Sequence, residues 1–266
     1  MSKIDLRLGD CYELIKTIPD KSIDLVYCDI PYDIEGNGGG SCFGEKKRDY
    51  HAEYEKVCEN TNSTASRVYK STMKSIDNIK EIAFGIDYGI LDEFCRVLKN
   101  IYVYIWCSKA QILPLMNYFV GKRGCRFEIL TWIKENPIPT CNGKYLSDTE
   151  YCLMFRDGGK TKIGGTMKTK QKYYISPLNV KDKGNFLHPT IKPLPFVENH
   201  ILNSTKEGDT VLDCFMGSGT TGLACKHLNR NFIGFEIEEK WYNIAKNRLE
   251  GYNAFGQGNF LEINGI

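Results

Sequence analysis

The stretch "VLDCFMGSGTTGLACKHLNRNFIGFEI" (residues 211–237) decides the fold class. Its apolar start reads as a strand, its Gly-rich middle as a tight loop, the following residues to about Asn229 as a helix, and "FIGFEI" as a second strand. Strand, glycine turn, helix and strand in this order build a β–α–β unit in a parallel sheet. Gly217, Gly219 and Gly222 fit G-x-G-x-x-G, which alone leaves a nicotinamide or flavin dinucleotide open. Three acidic or aromatic positions turn the reading elsewhere. Asp213 ends the strand ahead of the glycines, where it can accept a hydrogen bond from a ligand amine. Phe215 precedes the first glycine, and Glu236 ends the next strand, placed for both hydroxyls of a ribose. A cationic amino acid carried on a ribose meets these conditions better than a pyrophosphate does.

A second stretch, "CDIPYDIEG" (28–36), follows the strand-like run "SIDLVYC" (22–28). A buried strand would deliver Asp29 to the sheet rim, where α/β folds keep their ligands. Pro31 fixes the backbone beyond it and Tyr32 offers a flat ring. An acceptor beside a stacking surface suits a flat ligand that carries an amino group.

Outward from these two stretches, strands and helices alternate. Strands are expected at 4–10, 101–107, 125–134 and 149–155, and helices at 11–18, 87–100, 195–204 and 238–249. A further helix over "KAQILPLMNYFV" is interrupted or begun near Pro114. Residues 34–84 are polar and irregular, and their glycine cluster 36–40 lacks the Lys-Ser/Thr of a phosphate-binding loop.

The 266 residues suit one α/β domain or one domain with a smaller lobe, and 42% hydrophobic content allows a sizeable core. No apolar stretch reaches membrane-span length, and "MSKIDLRLGD" lacks a signal-peptide core. Eleven cysteines without a C-x-x-C pair read as reduced thiols in the cytoplasm and give no metal centre. The net charge of +2 is uneven: nine Lys or Arg against two Asp fall between Arg156 and Lys192. Gly residues, Tyr173 and Tyr174 interleave this run, so a solvated loop and a mobile arm closing over a phosphate backbone stand level.

With "DIPY" (29–32), "HPTIKP" (188–193) and "DCFMGSGTTG" (213–222) in this order, the chain resembles the β-class S-adenosylmethionine-dependent DNA amino-methyltransferases. Their signatures are a D-P-P-Y catalytic motif and an F-x-G-x-G loop for the methyl donor. The resemblance runs over nearly the whole chain and takes in "NPIP" (136–139) and "EY" (150–151). It implies a Rossmann-like methyltransferase sheet, mostly parallel, with helices on both faces, a circularly permuted motif order and irregular inserted DNA-recognition segments. Residues 1–33 and 85–135 would form the catalytic half and 34–84 an insert that contacts DNA. Residues 136–187 would supply middle strands and a basic target-recognition-like segment, and 188–266 the donor-binding half of the same domain. Ile30 departs from the motif's first proline: its carbonyl serves equally, but the backbone is expected to be less restrained. Cys214 stands where the family often has proline, with no chemical role expected.

The resemblance assigns the base amine to Asp29 and the carbonyl of Ile30, with Pro31 and Tyr32 holding the flipped ring. It assigns the donor to Asp213, Phe215, Gly217, Ser218, Gly219, Thr220 and Glu236, with the helix after Gly219 facing the donor carboxylate. Thr190 and Lys192 are candidates for that carboxylate, and Asp10 reaches the base or the donor adenine or else caps the helix 11–18. An acidic first motif residue favours N6-adenine as target, with N4-cytosine the alternative. Behind these stand an RNA methyltransferase, a non-catalytic nucleic-acid module and a Rossmann oxidoreductase, which would leave "DIPY" and "HPTIKP" idle. Double-stranded DNA is the expected partner, with Lys168, Lys170 and Lys172 on its phosphates. A homodimer and a cognate restriction endonuclease stay open, and no membrane is involved.

Overall fold

Burial along two central strands organises the molecule. Strands β2 (Leu25–Asp29) and β3 (Tyr102–Cys107) are buried on both faces, apart from the partly open Asp29 at the end of β2. Such continuous burial marks a parallel sheet covered on both sides. Successive side chains alternate between two cores. Val26, Cys28, Val103 and Ile105 join one, while Leu25, Tyr27, Tyr104 and Trp106 join the other.

The computed structural model describes residues 2–32, 85–137, 145–177, 186 and 191–252. Besides β2 and β3 the strands are β1 (Ile4–Leu8), β4 (Arg126–Lys134), β5 (Thr149–Arg156), β6 (Tyr173–Ser176), β7 (Thr210–Asp213) and β8 (Asn231–Glu236). They form one eight-stranded sheet in the order β1-β8-β7-β2-β3-β5-β4-β6. All neighbours pair parallel except at β5, which runs antiparallel to both β3 and β4. The N-terminal strand β1 closes the sheet against β8 near the C-terminus, Leu8 lying opposite Glu236.

Helices α1 (Cys11–Leu14), α2 (Ile90–Val97) and α3 (Lys109–Met116) cover the aliphatic face. On α2 the buried Leu91, Phe94 and Cys95 recur at the predicted helical spacing. Pro114 lies inside α3 rather than at its start, and the chain runs on through a wider turn over Asn117–Lys122. Helices α4 (Leu194–Ser204), α5 (Thr220–His227) and α6 (Glu239–Glu250) cover the aromatic face. There Trp106 Nε1 donates to Tyr27 Oη at 2.9 Å, and Tyr27 Oη meets Nδ1 of the buried His200 at 3.1 Å. Burial pushes the His200 imidazole down to about 3, so it is neutral in this stack. Among the described residues no helix is long and apolar enough to cross a membrane.

While the described residues 157–172 of the basic run remain turns and irregular chain, Tyr173–Ser176 depart from the expected loop or arm. These residues form the edge strand β6, parallel to β4, and Tyr174 stacks on Phe196 with ring centroids 5.4 Å apart. Just before it the chain is tied to α4 through the buried Asn203. Asn203 Nδ2 donates to the Thr169 carbonyl and Thr169 Oγ1 donates to Asn203 Oδ1, both at 2.8 Å. Gly165 has φ +77° and packs so closely that a Cβ there would collide with Asn203. Asn203→Ala is therefore expected to destabilise the fold by about 1–2 kcal/mol in urea denaturation. It should also speed tryptic cleavage at Lys168 and Lys170; an unchanged cleavage rate would show that this tether does not hold the loop.

Candidate active site

Register places the acidic residues in a row. β1, β8, β7 and β2 run parallel, so their C-terminal ends share one edge of the sheet. Along that edge stand Asp10, two residues beyond Leu8, then Glu236 and Asp213 at the ends of β8 and β7, then Asp29 at the end of β2. Because β5 is reversed, it is its beginning that reaches the same edge. Glu150 pairs with Trp132 there, two residues from Lys134 at the end of β4.

The catalytic turn is tightly held. Ile30 N–H donates to the Trp106 carbonyl at 3.3 Å, a bond that a proline lacks the hydrogen to make. The Ile30 side chain is 1% exposed in the aliphatic core. Gln111, buried at the start of α3, donates from Nε2 to the Pro31 carbonyl at 2.9 Å. The expected loss of restraint at Ile30 is thus offset by a ladder bond and by packing. Tyr32 Oη donates to Glu150 Oε2 at 3.4 Å, which fixes its ring at the site.

Asp29 ends a chain of alternating charges. Lys134 Nζ lies 2.6 Å from Glu150 Oε1, Lys192 Nζ 3.1 Å from Glu150 Oε2, and Lys192 Nζ 2.6 Å from Asp29 Oδ2. Lys192 is 5% exposed and also sits over the rings of Trp106 and Tyr32, at 5.2 and 5.4 Å from their centroids. Burial alone would raise Glu150, but the ammonium groups of Lys192 and Lys134 outweigh it and hold the carboxyl at about 2. Burial would likewise lower Lys192, yet Asp29 and Glu150 raise it and keep it charged. Asp29 is raised by burial, with Lys192 opposing. The Asp29 side chain still keeps 28% of its surface open to the cavity described below. The sequence reading put Lys192 on the donor carboxylate; the structure places its ammonium between the two acids instead.

The donor loop is built around its own carboxylates. Asp213, 2% exposed, accepts from Phe215 N–H at 3.0 Å and from Thr221 Oγ1 at 2.7 Å. Burial pushes its carboxyl up to about 7. Glu236 accepts from Gly217 N–H at 2.9 Å and Glu238 N–H at 3.0 Å, and burial raises it too. Gly217 and Gly219 adopt φ +50° and +78°, conformations that favour glycine. Gly219 forms the turn into α5 against Ala245, where a Cβ would lie 3.0 Å from the Ala245 Cβ. From below, the buried Arg248 donates to the Ser218 carbonyl at 3.2 Å and to Thr220 Oγ1 at 2.9 Å.

One cavity of about 320 Å³ is lined by both constellations: Asp29, Ile30, Pro31 and Tyr32 with Asp213, Phe215, Gly217, Ser218, Thr220 and Glu236. Asp10 and Lys192 line it as well, and Trp241 and Trp106 add aromatic walls. The Asp213 and Glu236 carboxylates, beside a loop of tight glycine turns and aromatic walls, fit a ligand with an amine, a ribose and a flat ring. Asp10 also caps α1, accepting from Tyr12 N–H at 2.9 Å, the cap being the one of its two expected roles that is seen. Gly219 shapes the loop without lining the cavity. Lys168, Lys170 and Lys172 are exposed outside the cavity, and Lys172 pairs with Glu128. Thr190 and His188, the segment 34–84 and the second half of "NPIP" lie outside the described residues. Sequence reasoning missed the roles of Glu150, Lys134 and Trp106; the "EY" motif was the one signal for the first.

The comparisons agree with this geometry. The DNA methylase family of N6 and N4 enzymes matches residues 23–247. Type II methyltransferase M.HinfI of Haemophilus influenzae is 30% identical over 91% of this chain and 67% of its own length. Type II methyltransferase M2.DpnII of Streptococcus pneumoniae is 28% identical over 95% of this chain and 91% of its own length. The M1.HpyAVI–S-adenosylmethionine complex superposes with a TM-score of 0.60 at 25% identity, covering 92% of this chain and all of that one. The cytosine-N4-specific PvuII methyltransferase shares the fold, with a TM-score of 0.59 at 17% identity over 92% of this chain and 86% of its own. A strand-end Asp-Ile-Pro-Tyr turn and a glycine loop on one cavity, in a chain matched across most of its length, place this protein in the N6/N4 DNA methylase family, whose methyl donor is S-adenosylmethionine.

Proposed function

We propose that this methyltransferase acts on the exocyclic N6 amine of an adenine flipped out of a specific duplex DNA sequence. The observation that carries the reading is the shared cavity, with the Asp29 carboxylate and the Tyr32 ring facing the same space as Asp213 and Glu236. Bound S-adenosylmethionine supplies an electrophilic methyl group on a sulfonium. Asp213 and Glu236 suit its amine and its ribose, and the loop amides before α5 suit its carboxylate.

The rest of the chemistry belongs to the chain. An aromatic amine is a weak nucleophile because its lone pair is delocalised into the ring. Asp29 and the Ile30 carbonyl each accept one of its N–H bonds, which favours a pyramidal nitrogen with a directed lone pair. Tyr32 stacks on the extruded ring, since a base inside the duplex is out of reach. The negative charge of Asp29 then stabilises the ammonium that develops on the amine. Positioning and electrostatics account for the rate, and the product cation sheds its proton afterwards.

The first test incubates the protein with mixed-sequence duplex DNA and methyl-labelled donor and identifies the labelled nucleoside by mass spectrometry. N6-methyl-2′-deoxyadenosine is the expected product; N4-methyl-2′-deoxycytidine would overturn the adenine assignment and keep the mechanism. Donor binding without transfer to DNA, or label only in RNA when RNA is offered in a parallel incubation, would overturn the DNA reading. Asp29→Asn should lower kcat by about 10²–10³-fold, the scale of one lost transition-state contact, and leave donor affinity unchanged. A cationic ligand favours the ionised form of Asp213, whose carboxyl lies at about 7. Affinity for S-adenosylhomocysteine, measured by calorimetry, should therefore fall by about tenfold per pH unit below 7. Asp213→Asn should bind more weakly and show a flat profile over the same range.

A further inference from the structure

We infer that Lys192 is a specificity-determining residue: with Asp29 it forms an acceptor–donor pair that reads the amine and the adjacent ring nitrogen of the target base together. This rests on the proposed function and names how that site selects its base. The geometry begins with Lys192 Nζ, 2.6 Å from Asp29 Oδ2 and on the cavity wall. An ammonium has three protons to donate. Among the described residues its hydrogen-bonding partners are Asp29 and Glu150, which take two of them. Nζ lies 5.4 Å from the Tyr32 ring centroid and both residues line the cavity, so the third is assigned to a base held against that ring.

An amino-substituted pyrimidine ring presents an N–H donor and a ring-nitrogen acceptor on neighbouring atoms. Asp29 and Lys192 present the complement, an acceptor beside a donor. Guanine and thymine carry a carbonyl acceptor beside an N–H donor, which sets acceptor against Asp29 and donor against Lys192. Both groups would then be buried unpaired, the condition under which a site discriminates most strongly. Adenine and cytosine share the accepted edge, so the pair selects a base with an amine where guanine and thymine carry the O6 or O4 carbonyl, and leaves the choice between these two to the walls of the cavity. The charge chain serves this reading: Glu150 neutralises the second charge of the pair and Lys134 in turn neutralises Glu150.

The test compares duplexes carrying adenine, 1-deazaadenine or 3-deazaadenine at the mapped target position. Loss of the ring nitrogen beside the amine makes the amine intrinsically more nucleophilic, so a slower reaction reports a lost contact. Wild-type kcat/KM should fall by about 10- to 100-fold on the 1-deaza base, the range for a hydrogen bond to a charged group, and stay near that of adenine on the 3-deaza base. In Lys192→Met the difference between the adenine and 1-deaza duplexes should vanish. Equal wild-type rates on the adenine and 1-deaza duplexes overturn the inference, and this comparison needs no variant to fold. Discrimination that survives in Lys192→Met also overturns it, as does a Lys192→Met defect confined to donor affinity. If natural DNA is labelled on cytosine, the adenine reading has failed separately. The inference then stands or falls on the same comparison with 3-deazacytosine.

Discussion

Four alternating charges, Lys134, Glu150, Lys192 and Asp29, are the constraint around which the site is arranged. Burying any one of them alone would be prohibitive, and burying a pair is close to neutral only when geometry and hydrogen bonds are good. The chain meets that condition by alternation, each inner member touching two opposite charges. Its members come from β4, β5, the segment ahead of α4 and the end of β2, so the network ties the catalytic turn to elements that are remote in sequence. Removing one inner member leaves two like charges facing each other, a larger loss than the net worth of the intact pair. Burial raises the Asp29 carboxyl, and Lys192 opposes that rise without sealing the group from the cavity.

Strand direction explains how these groups meet. In a parallel sheet every strand delivers its C-terminal residue to one edge, which gathers Asp10, Glu236, Asp213 and Asp29. β5 breaks the rule and contributes its first residues instead, bringing Glu150 to the same edge. The closing of β1 against β8 matters equally, since it carries Asp10 and Gly9 to the rim of a pocket made mostly by the C-terminal third of the chain. Motif order along the chain is therefore unrelated to distance in the site.

What was legible in the sequence follows from the same geometry. Strands buried on both faces read as apolar runs, which made β2, β3 and β7 plain, and the Asp at the end of two of them announced the site. Glu150 was hidden because an acid at the start of a strand reaches this edge only if the strand is reversed, and nothing local encodes that. Lys192 sat in a recognised motif, yet its partners are fixed by tertiary packing rather than by the motif. The short β6 was lost inside a basic run because "YYIS" carries too few residues for a period, and its stability comes from pairing with β4 and from Tyr174 on Phe196. At Ile30 the expectation of a looser backbone failed because the gained N–H finds an acceptor in the neighbouring strand.

The donor loop shows the opposite strategy from the charge chain. Among the described residues Asp213 is paired with no cation; its hydrogen bonds come from Thr221 and a backbone amide, and burial raises its carboxyl to about 7. A folded-state value above the ordinary 3.8 means that the protonated form favours folding. That contribution is fully present below the ordinary value and is lost as pH rises through about 7. Near neutrality the ligand-free protein thus holds a carboxylate that would be better ionised beside a positive charge. A cationic ligand group at this carboxylate would supply that charge and relieve a penalty already built into the fold. Asp29 thus has its cation, Lys192, inside the fold, whereas Asp213 is arranged so that a cationic ligand would supply one.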